Sequence, residues 1–229
     1  MSEMEFSIGD LYAPQWVYNE QSIRDVWLAI VRTRLDVTRK LDKSKKRLIE
    51  GALTLSQKSP AIQRLTVDVL VGCSAVSRST FFRKYSSLPE FKMETFQILS
   101  AAAAQFYADS IKNRPMSVNE FANFSLNVLY SSHIAVPNKL FLSLVSDFPD
   151  CPHYEFNGGL SIVSDAIYDY LKANRHLGFA SLTRDEVHKA VYLFDYDIFA
   201  QRVDPKSEFP CIAQAERLRK MFYGLVCEI

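Results

Sequence analysis

Between positions 66 and 84, hydroxyl and cationic side chains cluster: Thr66, Ser77, Arg78, Ser79, Thr80, Arg83 and Lys84. Such groups hydrogen-bond phosphate oxygens and base edges, so the chemistry they suit is recognition of a nucleic-acid polyanion rather than bond-making. Patterns for catalysis are missing. His133, His153, His176 and His188 are scattered, and there is no Gly-x-Ser-x-Gly elbow and no Gly-rich phosphate loop. Cys151 and His153 flank a proline beside Asp147 and Asp150, but the spacing matches no standard zinc pattern. The four cysteines, Cys73, Cys151, Cys211 and Cys227, form no Cys-x-x-Cys pair and are expected as reduced, mostly buried thiols. Neither an enzyme nor a metal or cofactor site is expected.

Charge distribution sharpens this reading. The net charge of +1 conceals a segment, 32–92, with 14 Lys/Arg against 5 Asp/Glu, hence +9. Residues 1–31 and 93–229 each carry −4. A basic module joined to mildly acidic flanks implies that the module alone meets a polyanion, although a solvated basic face would show the same composition.

The elements that must position these residues read as helices throughout. With 229 residues, 48% hydrophobic and 23% charged, the chain has room for one large or two small domains. Only 7 glycines argue against a turn-rich β fold. No apolar run approaches the length of a membrane span, and the acidic N-terminus is unlike a secretory signal, so a cytoplasmic protein is expected. After an irregular arm over 1–18, the three-and-four spacing of Ile23, Val26, Trp27, Ile30, Val31, Leu35 and Leu41 predicts a helix from about 19 to 41. A second helix is predicted over 43–57. Thr66 is placed to cap a short helix, a turn of small residues follows over 72–75, and Ser77 is placed to cap the next. On that helix Phe81 and Tyr85 face the small core and leave Arg78, Ser79, Arg83 and Lys84 outward. Pro89 suits the first turn of a long helix reaching about 113. Further helices are predicted near 117–132, 138–147, 156–175, 183–202 and 209–227. The fold class is therefore all-α, with an arm and extension helix over 1–41, a three-helix helix-turn-helix unit over 42–92 and a helical domain over 93–229.

The stretch TVDVLVGCSAVSRSTFFRKYSSLPEF, residues 66–91, resembles the DNA-binding signature of the tetracycline-repressor (TetR) family. The likeness covers about 50 residues with their approach helix; beyond them it rests on length and helical architecture. It implies that Thr66 and Ser77 hold phosphates through hydroxyls and helix-start amides. It also implies that Arg78, Ser79, Thr80 and Lys84 face bases or flanking phosphates, with Arg83 nearby. The sequence departs from the pattern at Ala75, where the family usually has glycine, and at Phe82, where a tyrosine commonly reaches a phosphate. Leu88 stands in place of a lysine and Val71 in place of an alanine. These departures imply a divergent member with shifted phosphate contacts.

The resemblance further implies a carboxyl-terminal domain that encloses a small apolar ligand and makes a homodimer through its last two helices. Phe106, Tyr107, Phe124, Tyr130 and His133, with Phe121 and Phe141, are the candidates for the pocket wall. One apolar stripe, Val187, Val191, Phe194 and Ile198, and another, Leu218, Phe222 and Leu225, are the candidates for the dimer interface; the alternative is that a single chain buries both as core. A symmetric dimer would read a palindromic operator in double-stranded DNA. The expected function is a dimeric transcriptional repressor released by a small molecule. The alternative is a DNA-binding protein controlled by a protein partner through the carboxyl-terminal domain or the amino-terminal extension.

Overall fold

A computed structural model describes residues 20–36, 40–58, 65–112, 114–136, 138–150, 152, 155, 157–204, 206–207 and 209–228. The described residues form helices α1 (Glu20–Arg32), α2 (Lys43–Lys58), α3 (Val67–Ser74), α4 (Arg78–Lys84), α5 (Leu88–Ile111), α6 (Val118–Ala135), α7 (Asn138–Asp147), α8 (Leu160–Ala173), α9 (Arg184–Val203) and α10 (Ile212–Val226). Among them there is no strand, and one isolated antiparallel bridge joins Phe179 to Cys227. None of these helices is long and apolar enough to cross a membrane. The arm over 1–18, with Cys151 and His153, lies outside the described residues.

Local chemistry explains where several helices begin. Ser87 accepts from the Glu90 amide at the start of α5, with Pro89 in the first turn. Ser117 with Glu120 and Thr183 with Glu186 form reciprocal capping boxes that open α6 and α9. These hydrogen bonds, from backbone and hydroxyl, hold the Glu120 and Glu186 carboxyls below their usual range.

Helix α5 is the axis of the molecule. Helices α1, α6, α7 and α8 pack against it; α9 then lies against α8, and α10 against α6. The close approach of α8 to α5 depends on Gly159, where a Cβ would sit 2.6 Å from the Ser100 carbonyl oxygen and 2.7 Å from the Ala104 Cβ. Similarly, Gly51 lets α2 meet α3, since a Cβ there would stand 2.9 Å from that of Ser74. The core is strongly aromatic: Phe121 stacks on Tyr170 at 4.4 Å between centroids and meets Phe179 edge-on at 5.4 Å.

Three expectations change. Helix α1 stops at Arg32 rather than near 41, and residues 33–36 form a turn. There the Thr33 hydroxyl bonds back to the Ile30 carbonyl, and the Asp36 carboxylate then accepts from the Leu41 amide. The small-residue turn lies later than predicted, because Gly72, Cys73 and Ser74 complete α3, and the chain reverses through Ala75 in a left-handed conformation (φ 51°). Among the described residues no thiol is fully buried: Cys73 is exposed on α3, and Cys211 and Cys227 are half-buried.

Candidate nucleic-acid interface and internal cavity

The basic segment folds into a small unit around Phe81. This side chain is fully buried and meets Tyr85 at 5.6 Å and Phe91 at 6.0 Å, so the start of α5 closes the core under α4. Leu48, Ile49 and Leu53 of α2 and Leu70 of α3 complete it. Lys45 lies 4.8 Å above the Tyr85 ring and reaches the Glu94 carboxylate at 2.9 Å, which locks α2 to α5.

With one face of α4 so buried, the expected polar residues lie outward. The Thr66 hydroxyl accepts from the Val69 amide, and Ser77 accepts from the Thr80 amide at 3.1 Å. The Ser77 hydroxyl is also 2.9 Å from those of both Ser79 and Thr80, so three hydroxyls share the start of α4. Arg78, Ser79 and Arg83 are exposed. Arg78 pairs with Asp68 and covers the exposed Phe82 ring. Lys84 is half-buried and bonded to Asp42 at 3.0 Å. The Lys45 amide, and after it Lys84, hold the Asp42 carboxyl below its usual range. Arg47 on α2 adds a further exposed cation. Arg78 and Lys84 thus each carry an intramolecular carboxylate partner, which the charge run did not reveal.

A cavity of about 190 Å³ lies mainly among the later helices and reaches the basic unit at Ala52, Leu53, Leu65 and Phe91. Trp27, Leu28 and Val31 of α1 and Ala52 and Leu53 of α2 form one side; α5, α6, α8 and α9 supply most of the other. Of the expected wall residues, Tyr107 and His133 line it. Phe106, Phe124 and Tyr130 do not. Phe106 meets Trp27 edge-on at 5.6 Å, Phe124 stacks behind Tyr107 at 5.8 Å, and the Tyr130 hydroxyl donates to the Cys211 carbonyl at 2.8 Å. These three are committed to packing and to holding the α10 entrance. Phe121 also belongs to the core, whereas Phe141 reaches the wall.

The polar edge of the cavity is ordered. Asp195 accepts from Asn157 at 3.0 Å and lies 3.0 Å from His133 Nε2. Arg202, almost wholly buried, donates to the Val136 carbonyl at 2.9 Å, with its guanidinium 3.8 Å from the Phe141 centroid. Burial brings Arg202 down to about 9 against the opposing pull of Asp195, so it is charged at neutral pH. Burial also pushes the Tyr107 phenol up, while its bond to Ser125 at 2.7 Å works in the other direction. Sequence reasoning missed Trp27, Thr95, Asn157, Asp195 and Arg202. Trp27 was visible as part of an apolar stripe, but nothing in the chain marks Arg202 as a buried cation.

The expected dimer residues lie inside the chain. Val187, Val191, Phe194, Ile198, Leu218 and Phe222 are buried, and Leu225 packs half-buried against them. Phe194 meets Phe222 edge-on at 5.6 Å, so these stripes fill the chain's own core. The outward faces of the same helices carry Tyr192, Leu193 (62% exposed) and Tyr196 (49%) on α9, and Met221 (57%) and Tyr223 on α10. Compared with protein-family models, with curated proteins and with solved structures, the chain matches none.

Proposed function

We propose that the chain is a DNA-binding transcriptional regulator, working as a homodimer, whose affinity for its operator is set by a small apolar molecule in the internal cavity. The observation that carries this reading is the outer face of α4. Arg78, Ser79 and Arg83 stand exposed beside the Thr66 and Ser77 caps, on the one segment of the chain with a large positive charge. In this reading α3 and α4 are a helix-turn-helix, with α4 in the major groove and α3 across the backbone. The head ends at α5, whose first turns close the head's core and whose later turns line the cavity. A ligand that favours one tilt of the head over another therefore changes the distance between the two α4 helices of a dimer.

The outward apolar residues of α9 and α10 supply the surface for the second copy. Control by a partner docked on the extension helix is less well supported, because Ile23, Trp27, Ile30 and Val31 already face the interior. Selection from a random duplex library tests the reading. A two-fold symmetric site, with half-sites about one helical turn or more apart, is expected; recovery of no preferred sequence would contradict it.

A further inference from the structure

Two residues that line the cavity carry a buried neutral polar group with no hydrogen-bond partner among the described residues: the indole N–H of Trp27 on α1 and the hydroxyl of Thr95 on α5. Trp27 is 2% exposed and Thr95 8%. An unmet donor of this kind costs about 1–3 kcal/mol when it is shut away from water. The rest of the wall is overwhelmingly apolar, and three of its other neutral polar side chains are engaged: Tyr107 with Ser125, His133 and Asn157 with Asp195. Of its two permanent cations, Lys92 lies 2.8 Å from the Asp147 carboxylate, and Arg202 donates to the Val136 carbonyl and feels the charge of Asp195.

We propose that the cavity binds a neutral, mainly apolar molecule bearing a carbonyl or similar acceptor oxygen, which receives hydrogen bonds from Trp27 Nε1 and Thr95 Oγ1. The volume sets its size. A cavity of about 150 Å³ accommodates benzene, so one of this size takes a single ring with a short substituent. Such a molecule ties α1 to α5 beside Ala52 and Leu53 of α2 and so stiffens the junction between head and body. That last consequence rests on the proposed regulatory function; the binding itself does not.

The test is calorimetric titration of the full chain, without DNA, with three molecules of similar shape: acetophenone, ethylbenzene and benzoate. Acetophenone is expected to bind on the order of tenfold more tightly than ethylbenzene, the value of one or two buried hydrogen bonds. The Trp27→Phe and Thr95→Val variants should each reduce that preference, read as the ratio of the two affinities, several-fold, and Thr95→Ser should retain it. Thermal denaturation of each variant establishes that it is folded. Equal affinity for acetophenone and ethylbenzene, binding of neither, or a preference unchanged in both variants would overturn the proposal. Tighter binding of benzoate than of acetophenone would overturn the neutral class. Because no DNA is present, failure here leaves operator recognition standing, and failure to bind DNA leaves this result standing.

Discussion

Asp195 is the residue on which most of the buried polar chemistry converges. Its carboxylate accepts from Asn157, faces His133 and pulls electrostatically on Arg202, all away from bulk water. Removing one member of such a group leaves the others charged or unpaired, which is far costlier than losing a surface contact. Asp195→Asn should therefore lower stability by about 3 kcal/mol in denaturant titration. A loss under 0.5 kcal/mol would mean that the cluster is effectively solvated. None of this was legible in the sequence, since Asp195 and Arg202 lie seven positions apart on α9 and look like two solvent-facing charges. The hydroxyl caps were legible, because Thr66 and Ser77 each precede a short apolar-periodic run and need only local backbone geometry to act.

Helices were the most readable elements. The expected starts and ends of α2, α5, α7 and α9, and the start of α4, lie within one or two residues of those observed. Proline at the first turn of α5 and hydroxyl caps are local signals that tertiary contacts do not overrule. The turn between α3 and α4 was less readable. Gly72, Cys73 and Ser74 suggest a turn by composition, yet α3 keeps them helical because its contact with α2 runs to Ser74, opposite Gly51. The same kind of close approach fixes α8 on α5. Gly159→Ala would drive a methyl group into the Ser100 carbonyl and the Ala104 side chain and should cost about 1–3 kcal/mol, read as a lower denaturation midpoint. An unchanged midpoint would show that α8 can shift without penalty.

At the scale of the whole molecule, α9 and α10 each present two faces, and an apolar stripe in the sequence does not say which surface will cover it. Val187, Val191, Phe194 and Ile198 went to the chain's own core, leaving Tyr192, Leu193 and Tyr196 outside with Met221 and Tyr223. In the proposed homodimer, Leu193→Glu should weaken association on the order of thirtyfold, about 2 kcal/mol, in sedimentation equilibrium, with the monomer fold intact. An unaltered dimer would remove this face from the interface. Operator recognition by the basic head is tested most directly by fluorescence anisotropy of labelled promoter duplex at several salt concentrations, with wild-type chain and the Arg78→Ala/Arg83→Ala variant. The logarithm of affinity should fall linearly with the logarithm of salt concentration, with a slope smaller by about 1 for each phosphate contact removed. No complex even in dilute buffer, or identical slopes for the two proteins, would contradict recognition of DNA by the outer face of α4.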